Sequence, residues 1–346
     1  MTICGSFSQS NIPNGQQDAV ADGYKNNIPP PINVTQMQDA DGTWTVTAQW
    51  PPCPSDTTTT HSPNNTLATA NPVLPAPTVQ KAAAKAGAAA SVGVDSLLSS
   101  SAAILANAAS AAYLGQTPSF WGRYFYAPGQ INSSGRLDND HYAAKENGFL
   151  RLHNIRVLPI ARQTGNVGGD AAIGAADAKN NVDSFFDILP PVYLSGADPD
   201  VLFFLDVEEN RPLSVEYYKG WAATLITYAN QVSAGRVHVH PAMYASQGDV
   251  TSWTALSKAM AAGAVCDGAW VARYFFPTPA PRGWNDHLVT PAVNLACPIL
   301  AWQYWESPDH APSDQNFDTN LINPAHADML LSRLVMPPPQ TSEVGV

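Results

Sequence analysis

From residue 91 onward, short apolar runs alternate with longer stretches in which apolar residues recur every three or four positions, the pattern of repeated strand and helix units. Eight runs read as strands: SVGVDS (91–96), FWGRYFY (120–126), IRVLPIAR (155–162), VLFFLDVEE (201–209), VHVHPAMYAS (237–246), GAWVARYF (268–275), PILAWQYWE (298–306) and FDTNLI (317–322). Helices are expected at 97–112, 137–153, 168–189, 213–233, 251–263 and 324–335. The segment 276–297 holds too many prolines for a full helix and reads as a loop over the barrel mouth. Eight strands in this alternation predict an α/β fold, a (β/α)8-type (TIM-like) barrel over residues 86–340. No Gly-rich phosphate loop follows any strand, which weighs against an open nucleotide-binding sheet, and no cofactor is expected.

Residues 1–85 are different: rich in Asn, Gln, Thr and Pro, with PPP at 29–31 and TTTT at 57–60. Such composition buries little apolar surface and marks an irregular, low-complexity extension. One piece alternates Trp44, Val46, Ala48 and Trp50 against polar residues after a D-G turn signal, which reads as a small β adaptor. Cys4 and Cys53 are placed to tie its ends; a flexible arm that orders against a protein partner is the alternative. Residues 78–90 read as an Ala-rich helix or linker.

Charge narrows the partners. Lys and Arg number 17 against 28 Asp and Glu, a net charge of −11, and no basic stripe is visible, so nucleic acid is not expected as a partner. The start, MTICGSFSQSNIPNG, lacks the basic and apolar regions of a secretory signal, and no run of about 18 apolar residues is present for a membrane span. Of the four cysteines, Cys266 and Cys297 each precede a predicted strand; neighbouring strands bring them within disulfide reach or leave them as two buried thiols.

In a barrel, chemistry sits at the C-terminal ends of strands. The fourth run, VLFFL, is continuously apolar and its charges appear only at the end, as Asp206 and Glu208. Residues two apart on a strand share a face, about 6.5–7 Å apart, so the two carboxylates look into one space. Such a pair suits acid/base chemistry, because one can hold a proton while the other stays charged. The bland alternative pairs both acids with Arg123, Arg162 or Arg273. Asp95 ends the first strand and Asp318 lies in the eighth; Glu209 and Glu306 read as rim charges. Arg123, Tyr124, Tyr244, Tyr274, Gln303 and Tyr304 are the candidate substrate contacts, with Tyr274 and Tyr304 preferred for stacking on sugar rings. His238 and His240 form an H-x-H that raises a metal-dependent hydrolase as a rival, although the pair lies toward the start of its strand; no metal is assigned.

The ordered set VGVDS, FWGRYF, VLPIAR with a following G-G-D-A-A helix, FLDVEE, PAMYAS, AWVARY, AWQYW and FDTN resembles the glycoside-hydrolase-like barrel related to family 25 lysozymes. The resemblance spans nearly all of 91–323. It implies a modified barrel that cleaves the glycan strand of peptidoglycan, with Glu208 as general acid, Asp206 its partner, and Asp95 and Asp318 lining the same cleft. Two departures stand out. Ser96 is followed by LLSSS where that family has a longer first motif, and the W-G-R-Y and G-G-D-A-A segments are closer to a less characterised branch. The expectation is a lysozyme-like hydrolase acting outside the cytoplasm, docked through residues 1–85 to a phage particle or injection device; the alternative is a catalytically inactive glycan-binding or structural barrel.

Overall fold

A computed structural model of the chain describes residues 6–12, 33–38 and 44–49, and from 91 to 339 all but 127–140, 163–164, 209–210, 277, 282 and 309. The chain divides into two compact units, Met1–Lys81 and Ala82–Val346. In the first, β1 (Ser6–Ile12), β2 (Asn33–Gln38) and β3 (Trp44–Gln49) form an antiparallel sheet with β3 in the centre. Cys4, Trp50, Cys53 and the stretch 78–90 lie outside the described residues.

The second unit is a mixed α/β fold built on a closed barrel of eight strands: β4 (Val92–Asp95), β5 (Phe120–Tyr124), β6 (Arg156–Ala161), β7 (Asp200–Val207), β8 (His238–Ser246), β9 (Ala269–Ala272), β10 (Ile299–Trp305) and β11 (Asp318–Ile322). Seven fall within the expected runs, and β7 starts one residue ahead of its run, at Asp200. Between them lie α1 (Ala102–Ala108), α2 (Asn147–Leu152), α3 (Ala171–Ile188), α4 (Pro191–Ala197), α5 (Val215–Val232), α6 (Val250–Ala261) and the single turn α7 (Asp286–Val289), with α8 (Ala327–Ser332) after the last strand. Helix starts follow the sequence: Asp170 accepts from the amides of Ala172 and Ile173, Ser214 from Tyr217 and Asp249 from Ser252.

Two features depart from the expected repeat. Strands β4 to β10 run parallel, but β11 is antiparallel to both its neighbours, β10 and β4. The connection 306–317 carries no helix among its described residues, and the chain turns back on itself. The segment 276–297 packs on the outer side of β10 instead of over the mouth, where Tyr304 donates to the Pro279 carbonyl (2.7 Å) and Trp302 meets Phe276 and Trp284. It covers the flank that a crossover helix would otherwise cover.

Strand alternation sorts the core into two shells. Leu158, Ile160, Leu202, Phe204, Ala242 and Trp270 fill the barrel, while Val157, Phe203, Leu205, Val207 and Met243 face the helices. Leu330 and Leu334 plug the base, and the segment after α8 is stitched to the barrel by Leu202 N to Arg333 O (2.9 Å) and Val157 N to Val335 O (2.7 Å). His240 lies at this base, its Nδ1 2.5 Å from Asp267 and its Nε2 3.1 Å from Asp200, so the H-x-H is remote from the strand ends that form the mouth. No group of three or more candidate metal ligands occurs among the described residues.

Outside the barrel, α3 and α5 pack backbone to backbone. A Cβ on Gly174 would lie 2.3 Å from the Tyr217 carbonyl oxygen, and one on Gly220 would lie 2.1 Å from that of Ala171. The same helix pair buries Asp177, which accepts from the Tyr217 hydroxyl (2.8 Å), and Asn181, which accepts from Trp221 Nε1 (3.0 Å). Gly174→Ala or Gly220→Ala is therefore expected to cost about 1–3 kcal/mol through overpacking. Gly196→Ala, with nothing within 4 Å of its Cβ, is the control, and denaturant unfolding of the three variants checks the difference.

Candidate active site at the barrel mouth

The inward-facing residues at the upper ends of the strands enclose a cavity of about 70 Å³ lined by Asp95, Tyr124, Asp206, Glu208, Tyr244, Trp270, Tyr274, Gln303, Glu306 and Asp318, with Ile160 as its floor. It adjoins a wider cleft of about 580 Å³, which shares Glu208, Tyr244, Tyr274 and Glu306 and continues along Ser246, Gln247 and Arg273. All four carboxylates singled out from the sequence meet in the inner cavity. Asp318 reaches it because β11 is reversed: its first residue lies beside Asp95, the last residue of β4. Gly122 makes room for Asp95, since a Cβ there would lie 2.6 Å from the Asp95 Cβ.

One side chain organises this cluster. Gln303 Nε2 donates to Asp318 (2.9 Å) and to both oxygens of Asp95 (3.3 and 3.2 Å). Its Oε1 accepts from the hydroxyls of Tyr244 and Tyr274, the latter at 3.2 Å. Asn320 Nδ2 donates to Asp95 (2.6 Å) and its Oδ1 accepts from Trp270 Nε1 (2.8 Å). The backbone amide of Ser307 completes Asp318 at 2.8 Å.

Burial sets the protonation states. Loss of water pushes Asp206 up to about 8, with the charge of Glu208 adding to the rise and that of Arg162 opposing it. Burial likewise raises Asp95 to about 7 against the hydrogen bonds from Asn320 and Gln303. Asp318 is raised well above the ordinary carboxylate value, first by burial and then by the charge of Asp95. Asp206 is buried, whereas Glu208, one turn of the pleat further on, is exposed. The D-x-E pair is thus split between a carboxyl that keeps its proton and one that faces solvent.

No protein-family model matches the chain, and no curated protein matches it. Solved structures do. An uncharacterized protein of B. stearothermophilus aligns over 71% of this chain and 100% of its own length at 21% identity, with a TM-score of 0.52. The spore cortex lytic enzyme SleM of Clostridium perfringens aligns over 68% of each chain at 16% identity, TM-score 0.40. The Tat-secreted protein Rv2525c of Mycobacterium tuberculosis aligns over 67% of this chain and 95% of its own at 14% identity, TM-score 0.39. The first of these supports the barrel fold and nothing finer.

Two expected substrate contacts lie elsewhere. Arg123 is fully buried on the outer face of β5, where it binds Glu146 and the carbonyls of Ser96, Leu97 and His141. Neighbours on a strand face opposite ways, and with Tyr124 inside Arg123 is outside. The same alternation puts Gln303 in the cavity and Tyr304 on the flank, against Phe276, Trp302 and the Pro279 carbonyl. Of the arginines proposed to pair with the acids, Arg162 stacks over the Tyr124 ring at 5.4 Å and Arg273 donates to the Leu288 carbonyl (3.1 Å). Asn320 and Glu306 are additions to the site. The D-x-N spacing of Asp318 and Asn320, two apart on a strand, was the available signal for Asn320.

The pH dependence of stability follows from Asp206. Its folded value, about 8, lies above its ordinary value of 3.8, so folding favours the protonated form. That contribution is complete below about pH 4 and is lost as pH rises through 8, at up to about 1.4 kcal/mol per pH unit. Denaturant melts from pH 4 to 9 are expected to show stability falling across this window in the wild type, with a shallower fall in Asp206→Asn.

Proposed function

We propose that the barrel is a peptidoglycan-directed glycoside hydrolase, lysozyme-like and related to family 25 lysozymes through a modified TIM-type barrel. What carries the reading is the convergence of Asp206 and Glu208, on one strand face, with Asp95 and Asp318 in a cavity that opens into a cleft walled by Tyr244 and Tyr274. Hydrolysis of a glycosidic bond needs a proton for the leaving oxygen and a second carboxylate for the oxocarbenium-like state or the attacking water. Tyr244 and Tyr274 offer the sugar flat faces and hydroxyls, and Tyr124 closes the inner wall.

The resemblance assigns the acid's part to Glu208, whereas burial leaves the proton on Asp206. Both fit one mechanism if Asp206 passes its proton through water to Glu208 when a sugar is seated, so that Glu208 protonates the leaving oxygen and the Asp206 carboxylate left behind faces the positive charge that develops on the ring. Residues 1–85 serve in this proposal as the docking arm to a protein partner, and the barrel works outside the cytoplasm. The second reading, a silent glycan-binding barrel, is favoured by the hydrogen bonds that already engage Asp95 and Asp318 through Gln303.

The test is the release of reducing ends and muropeptides from purified bacterial cell walls. Wild type is expected to cleave, and Glu208→Gln and Asp206→Asn each to lose about 10²–10⁴-fold. An aryl glycoside with an activated leaving group, which needs no acid, is expected to restore turnover to whichever variant lacks only the proton donor. Binding without any new reducing ends would make the barrel a glycan-binding protein. Cleavage that Glu208→Gln leaves intact would move the site.

A further inference from the structure

Cys266 and Cys297 lie at the base of the barrel, each just before its strand in the parallel pair β9 and β10. Their sulfurs are 3.7 Å apart, and the amide of Ala269 donates to the Pro298 carbonyl (2.9 Å), holding the two approaches side by side. The thiols are buried but not sealed, with 7% and 9% of each residue exposed. A cavity of about 350 Å³ opens alongside, lined by Val265 and Asp267, the chain neighbours of Cys266, and by Asp200, His238 and His240.

We propose that Cys266 and Cys297 form a disulfide that clamps the base ends of β9 and β10 together. A disulfide bond is about 2.05 Å long, so the sulfurs need to approach by about 1.7 Å, which side-chain rotation between adjacent strands supplies. A small organic disulfide, such as oxidised glutathione, is the oxidant. The Cys266 thiolate attacks one of its sulfurs and expels a glutathione thiolate, leaving a mixed disulfide. The Cys297 thiolate then attacks the Cys266 sulfur and expels the second. Two protein thiols lose two protons and two electrons, and the oxidant becomes two thiols. The contact with Cys297 holds the Cys266 thiol below its ordinary value, which suits it to attack first.

The bond would close a loop between residues 31 apart in sequence. That loop runs up β9, through Arg273 and Tyr274 at the cleft, and back down the outer flank of β10. Cross-linking its two ends at the base removes conformational freedom from the unfolded chain.

The experiment uses the full chain carrying Cys4→Ser and Cys53→Ser, so that every thiol counted belongs to this pair. The folded protein is incubated with oxidised glutathione and then unfolded in guanidinium for thiol titration and peptide mass mapping. The expected result is a fall from two thiols to none, a linked 266–297 peptide pair, and a melting temperature about 5–10 °C above that of the reduced protein. Two thiols that persist, or a glutathione adduct that never resolves, overturn the proposal. A linked pair with an unchanged melting temperature overturns the clamp. None of these outcomes depends on whether the barrel cleaves glycans.

Discussion

The reversed pairing of β11 between β10 and β4 is the constraint on which the site depends. Seven parallel strands bring only their C-terminal ends to the mouth, and β11 brings its beginning. Asp318 thereby lies opposite Asp95, and Asn320, two residues further, one layer down. Closure of the sheet and assembly of the acid cluster are the same event: the hydrogen-bonded ladder that removes the last free edges also sets two carboxyls side by side.

That proximity has an electrostatic cost, and the surrounding polar groups are arranged to meet it. Carboxyls in a dry, narrow space resist ionisation, so Asp95, Asp206 and Asp318 are all raised. Gln303 turns its amide nitrogen to two carboxyls, and two tyrosine hydroxyls satisfy its oxygen. Asn320 repeats the device a layer below, between Asp95 and Trp270. The aromatic wall is thus coupled by hydrogen bonds to the acids and is more than a stacking surface.

Much of this was legible in the chain. Runs such as VLFFL are apolar on both faces because one face meets the barrel interior and the other the helices, which is why all eight strands could be drawn. The D-x-E was equally plain, since its charges break an otherwise unbroken apolar run. Arg123 and Tyr124 cannot both face the cavity, nor can Gln303 and Tyr304: adjacent side chains on a strand face opposite ways, and one of each pair belongs to the flank. Which one faces inward is set by the register of the closed barrel, with β10 carrying irregularities near Ile299 and Trp305 that local pattern does not reveal.

The strands, their order of appearance and the chemical types at their ends are written locally in the chain, because burial and alternation act on residues close together in it. The reversal of the eighth strand, the tie that Gln303 makes between Asp95 and Asp318, and the burial of Asp206 beside an exposed Glu208 come from the packing of the closed barrel. Those outcomes depend on groups far apart in sequence, Asp95 and Gln303 being 208 residues apart, and on how much water closure leaves around each carboxyl.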